Sequence, residues 1–199
     1  MERSKILVMV EGAVMVALAT GLSLLSNFIP FLKLPWGGSI TLLSMLPIVV
    51  NSIRNGVKSG LACSFVYSVV QLVIGMFEVL GWGLTPTMLA ACFFFDYIGA
   101  FTVLGLAGLF RKRGMSGWIG GTVMAITLRY VMHVISGAAV FASVGMLWDV
   151  IEINNPWLYS MAYNACYMLP ELIFTTIGAV ALFKSGAIKM ILKGNEATV

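Results

Sequence analysis

Few side chains in this sequence can do chemistry, and they stand where apolar residues otherwise dominate. Asp96 and Tyr97 interrupt the run "MLAACFFFDYIGAFTVLGLAGLF" at 88–110. Arg129 and His133, in "LRYVMHVISG", are four residues apart and so share one face of a helix. His133 is the single histidine of the chain. The stretch "WLYSMAYNACYMLPELIF" carries Tyr159, Tyr163, Asn164 and Tyr167, then Pro170 and Glu171. Pro170 has no N–H to give a helix, so it kinks the run and frees a carbonyl. Glu11 breaks an earlier apolar run, "ILVMVEGAVMVALATGLSLLS".

A carboxylate deep in such a run costs on the order of 3 kcal/mol if the surroundings are lipid, so it must find a partner. Three roles compete for Asp96: a structural bridge to Arg129, a contact for a cation or an amine-bearing ligand, and a proton relay. Arg129 can snorkel toward an interface or pair with Asp96 or Glu171. Asp96, Tyr97, His133, Tyr159, Tyr163 and Asn164 together suit a ring-bearing organic ligand. Aromatic faces stack, Asn and His form hydrogen bonds, and the acid attracts a positive centre. An ion pore would instead use rings of like charge or carbonyls.

The elements that position these groups follow from composition. Of 199 residues, 60% are hydrophobic and only 10% charged. Soluble domains carry about 25% charged residues. The chain is therefore an all-α membrane protein, expected as one compact bundle over residues 1–199. A spanning helix takes about 20 mostly apolar residues. Six spans are predicted, at 6–26, 40–53, 59–80, 87–110, 118–146 and 157–183. The second is short and holds Pro47. Two outer connections stand out: 27–39, "NFIPFLKLPWGGS", an ordered or gating loop, and 147–156, "LWDVIEINNP", which is acidic and polar.

Charge sets the orientation. Ten of the twelve basic residues fall before span 1, between spans 2 and 3, between 4 and 5, and after 6. They are Arg3, Lys5, Arg54, Lys58, Arg111, Lys112, Arg113, Lys184, Lys189 and Lys193. The opposite connections hold Lys33 with Glu78, Asp149 and Glu152. The positive-inside rule then places both termini in the cytoplasm. The net charge of +4 is thus a topology signal, and no nucleic-acid partner is expected. Cys63, Cys92 and Cys166 are not spaced as a metal site and read as buried free thiols. No P-loop, zinc-protease or nucleophile-elbow motif occurs, so neither an enzyme nor a cofactor or metal site is predicted. Ala13 and Ala17 form a small-xxx-small face on span 1 that permits close helix approach.

Several strings in order resemble the thiamine-specific S components of energy-coupling factor transporters. They are "EGAVMVALA", "GGSITLLSMLPI", "DYIGAFTVLGLAGLF", "LRYVMHVISGAAVFA" and "LYSMAYNACYMLPE". The resemblance implies that Asp96 and Tyr97 form the acid–Tyr pair of the fourth helix and that His133, Tyr159 and Asn164 bind the vitamin with them. Tyr163 lies in the same constellation. It implies that Trp36 covers the site and that Ala13 and Ala17 dock on the transmembrane coupling subunit. The sequence departs from the family in having Asp96 where relatives carry Glu, and Phe141 where a Trp is found. After the first loop only Ser39 and Thr41 stand where a second acid can occur, and the loop between Trp36 and Pro47 differs in length.

By this resemblance the chain would capture thiamine from outside at high affinity and deliver it through a coupling subunit and two ATPase subunits, tilting within the surrounding membrane lipid. Thiamine offers an aminopyrimidine and a cationic thiazolium, which suit a carboxylate and aromatic faces. Two alternatives remain open: the same fold with another vitamin or precursor, and an autonomous proton-coupled carrier using Asp96, Glu171 and His133.

Overall fold

A computed structural model describes residues 5–185. Arg3, Lys189 and Lys193, counted above with the basic set, lie outside the described residues. The described residues form helical segments joined by short connections. They are α1 (Lys5–Asn27), α2 (Met45–Asn55), α3 (Val57–Leu80), α4 (86–113), α5 (114–141) and α6 (Pro156–Lys184). Among the described residues, four helical stretches are long and apolar enough to cross a membrane. One of these, Pro86–Phe141, is 56 residues long and comprises α4 and α5. It folds back at Gly114, whose φ of +65° suits a residue without a Cβ. Close pairs mark the hairpin on either side of that turn: Phe110 with Gly117, Ala107 with Gly121, Asp96 with His133. At 11 residues α2 is too short to cross alone, having Pro47 in its first turn and Gly56 just past its end.

Burial on α1 and α3 is inverted relative to a soluble protein, while Met45, Ile48, Leu104 and Ile126 form an apolar core between helices. Ile6, Met9, Val14, Phe65, Val73, Phe77, Ile173 and Ile177 face outward. Ser52, Ser64, Ser68, Asn51 and Thr122 lie inside. Lipid gives apolar side chains no reason to cluster, so the interior is held by close approach and hydrogen bonds. Ser52 shows both: its Oγ donates to the Gly105 carbonyl at 2.5 Å and accepts from the Gly108 amide at 2.9 Å. Those glycines lie in the 3-10 stretch Val103–Arg113 that ends α4, where α2, α3 and α5 meet its backbone.

The basic residues gather at one end. Arg111 donates to the Arg54 carbonyl at 3.1 Å, and Trp118 meets Phe183 edge-on at 5.3 Å beside Lys184. Glu11 finds its partners there, with Arg54 at 2.9 Å and Asn55 at 3.3 Å. The other end is closed by connections. Residues 28–44 form two 3-10 turns, Pro30–Leu32 and Pro35–Gly37, tied by a bridge between Lys33 and Ser39.

Two boundaries differ from expectation. The second span is expected from 40, but α2 starts at Met45; the fifth is expected to reach 146, but α5 ends at Phe141 and Ala142 turns left-handed. Residues beyond it pair as a hairpin of β1 (Gly145–Leu147) with β2 (Ile151–Ile153), where the sequence suggested only a polar loop. Of the thiols, Cys92 is buried, Cys63 is half-buried, and Cys166 is exposed, contrary to expectation, because it faces outward and meets Trp148 Nε1 at 3.4 Å.

Candidate functional site: a polar layer beneath the loops

The layer begins where α4 departs from regular winding. Phe93–Gly99 is a π-helical stretch, and Asp96 and Tyr97 sit within it. Wide turns of this kind recur at functional sites, since they re-aim side chains without ending the helix. Here they send adjacent residues to different neighbours. Asp96 faces α5, while the Tyr97 hydroxyl packs against Gly75 of α3 and its ring meets Phe93 edge-on at 6.4 Å.

His133 Nδ1 lies 2.9 Å from Asp96 Oδ1. Arg129 Nε donates to His133 Nε2 at 3.3 Å. A ring nitrogen that accepts cannot carry the proton, so His133 is neutral and donates from Nδ1 to the carboxylate. Ser136 donates to the second oxygen, Oδ2. The acid thus receives one donor on each oxygen, yet its side chain stays 19% exposed against 9% for His133.

Arg129 is only 4% exposed. It does not snorkel. Its guanidinium lies 4.1 Å from the Phe101 ring centroid, a cation–π contact, and it reaches Asp96 through His133. Asn164 of α6 donates to the His133 carbonyl at 3.4 Å and to the Ser160 carbonyl at 2.8 Å. Its Oδ1 accepts from the Tyr167 hydroxyl at 2.5 Å. Asn155 caps the start of α6 by accepting from the amides of Trp157 and Leu158, which sets the helix on which these groups ride.

Rings lead outward from the layer. His133 meets Tyr167 at 5.8 Å, Tyr167 meets Tyr163 at 6.1 Å, and Tyr163 stacks on Trp148 at 6.2 Å and 25°. Tyr163 also holds the first loop, donating to the Pro35 carbonyl and accepting from the Gly38 amide at 3.1 Å.

The structure therefore joins Asp96, His133 and Asn164, with Tyr163 one ring away. Tyr159 is buried one turn further out on the same α6 face. Tyr97 and Phe141 belong to an adjoining apolar cluster around Val79 and Cys92, where Phe141 meets Trp82 at 5.7 Å. Trp36 lies in the Pro35–Gly37 turn, but its side chain is outside the described residues. Ala13 and Ala17 are exposed on α1. Ser136, Tyr167 and Trp148 were not singled out as site residues. Tyr167 carried a signal, being four residues beyond Tyr163. Ser136 and Trp148 carried none, because serine is common inside membrane helices and Trp148 joins only through the hairpin.

Fold and site together define a multi-pass helical protein of the cell membrane, with a polar layer under one face. The sequence matches the thiamine transporter protein family (Thia_YuaJ) over residues 9–191. The chain belongs to that family, as its motifs suggested. It is 35% identical to thiamine transporter ThiT of Bacillus subtilis (strain 168) over 210 residues, which cover 99% of this chain and 100% of that one. Its fold is similar to a solved structure of ThiT from Listeria monocytogenes, with a TM-score of 0.73 at 20% identity, covering 95% of this chain and 99% of that one.

Proposed function

We propose that the chain captures thiamine from the outer side at high affinity, as the substrate-binding subunit of an energy-coupling factor importer. The observation that carries this reading is the His133–Asp96 pair. The Asp96 side chain keeps 19% exposure, and a train of aromatic rings starts at its partner His133. A buried charge is costly when alone, and an arriving cation offsets that cost. Asp96 attracts the thiazolium or accepts from the aminopyrimidine. Tyr97, Phe141, Tyr159 and Tyr163 supply ring faces, Asn164 supplies a hydrogen bond, and Trp36 is a further ligand-binding residue by the family resemblance. The family's description and the name of the Bacillus subtilis relative favour thiamine over other vitamins.

In this reading residues 1–199 form one domain of six spans. The hairpin of α4 and α5 counts twice, and α2 completes a crossing with the segment before it. The basic end, with Arg54, Lys58, Arg111, Lys112, Arg113 and Lys184, lies in the cytoplasm, so the layer and its loops face outward. Ala13 and Ala17 dock on a membrane coupling subunit that works with two ATPase subunits.

A binding screen of the purified chain tests the substrate. Thiamine should bind one-to-one at submicromolar concentration, while riboflavin and biotin should not. Binding of riboflavin or biotin in preference to thiamine would refute the assignment. Proteoliposomes test the division of labour. The chain alone should not accumulate thiamine under a pH gradient, and adding the coupling and ATPase subunits with ATP should start uptake.

A further inference from the structure

Glu171 takes no part in the layer just described, yet it is 1% exposed and sits on the same face of α6 as Tyr163 and Tyr167. Its Oε1 accepts from both the backbone amide of Thr41 and the Thr41 hydroxyl, the latter at 2.7 Å. Ser44 donates to that hydroxyl at 2.7 Å and begins α2. Eight residues up the helix, Tyr163 holds Pro35 and Gly38. Between the two, the Tyr167 ring lies so close to Gly38 that a Cβ there would come within 2.9 Å of it. The first loop is thus laid along about 12 Å of α6, fixed outside by a phenol and inside by a carboxylate.

The inner anchor also restrains an unusual backbone. Leu42 and Leu43 follow Thr41 directly, with φ of +40° and +67°. Bulky residues hold left-handed conformations only where their surroundings impose them. Thr41 on one side, and the start of α2 with Leu43 packed on Gly178 on the other, impose this one.

We propose that Glu171 is a positioning residue for ligand retention. By holding Thr41 it fixes the inner end of segment 35–41 against α6, and the ligand leaves only when that contact opens. This rests on the thiamine reading above, but the anchor itself can be tested without any ligand.

The experiment uses the full-length protein in detergent. Hydrogen–deuterium exchange of the amides in 35–43 is measured without ligand, and thiamine association and dissociation are followed by stopped-flow tryptophan fluorescence. Loss of a hydrogen bond to a charged group corresponds to a factor of about ten or more. Glu171→Ala should therefore speed exchange in this segment and thiamine release by about tenfold, with association changed by less than about threefold. Thr41→Val, which keeps the amide and loses the hydroxyl, should show a smaller change in the same direction. Thr41→Ser should behave as wild type, and exchange in 57–80 should be unaltered throughout. Thr41→Val keeps the test usable if Glu171→Ala does not fold. Unchanged exchange in 35–43 for the folded variants overturns the proposal, as does faster exchange with an unchanged release rate. If wild type binds no thiamine, the functional reading fails separately, and exchange alone decides the anchor.

Discussion

His133 Nδ1 lies 2.9 Å from Asp96 Oδ1, joining α5 to α4 across 37 residues of sequence. The imidazole is fixed from its other side by Arg129 at 3.3 Å, so the three groups form one chain of hydrogen bonds. Removing the middle member takes a hydrogen bond from each outer one, leaving Asp96 with Ser136 and Arg129 with the Phe101 ring.

His133→Ala should for that reason destabilise the protein by about 3 kcal/mol. Replacing Arg129 with Met in the His133→Ala background should regain part of the loss, since the orphaned cation is then gone. Thermal unfolding in detergent of the two single variants and the double variant measures this. Strictly additive losses would show that the three residues do not act as a chain.

Gly75→Ala addresses the other half of the π-helical turn. A Cβ at that position would collide with the Tyr97 hydroxyl. The expected cost is about 1–3 kcal/mol, together with weaker thiamine binding as the Tyr97 ring is displaced. Combining Gly75→Ala with Tyr97→Phe should restore only part of the stability, because the ring carbons would still lie 2.8 Å from the added Cβ. A melting temperature unchanged by Gly75→Ala would mean that Tyr97 moves freely and has no fixed place beside the site.

The Glu11–Arg54 pair lies at the basic end, away from the layer. Glu11→Gln should cost about 1 kcal/mol of stability and change thiamine affinity by less than about twofold, because distant sites act independently. Unfolding and titration of the same sample check both statements. A large loss of affinity would mean that the two ends are coupled within the isolated chain.

The exposed Ala13 and Ala17 face can be blocked without touching the ligand layer. Ala13→Trp with Ala17→Trp should leave thiamine binding intact and abolish uptake in the assembled transporter. Uptake at wild-type level would move the docking surface elsewhere.

The sequence made some of this geometry legible, for reasons that are physical. A single carboxylate in an apolar run must turn inward and find a donor, so Asp96 and His133 were expected to face a shared interior. The inverted burial of α1 and α3 follows from the same solvent argument. Other features left no local signal. The π-helical turn depends on how α4 packs, and "FFFDYIG" reads equally well as a regular helix. The Thr41–Glu171 contact joins residues 130 apart, so neither position indicates the other. The β-hairpin arises where Ala142 leaves the helix in a left-handed conformation that alanine does not advertise. Arg129 was expected to snorkel or to pair with an acid directly, and it is held inside by His133 and Phe101 instead.

Calorimetric titration of thiamine into the wild-type chain and Asp96→Asn tests the central claim most directly. The substitution keeps the shape, removes the charge and turns one of the two acceptor oxygens into a donor facing His133 or Ser136. Wild type should bind one equivalent, and Asp96→Asn should bind about 10- to 100-fold more weakly with its fold intact. Equal affinity in the two proteins would contradict the account, because the carboxylate would then have no part in holding the ligand.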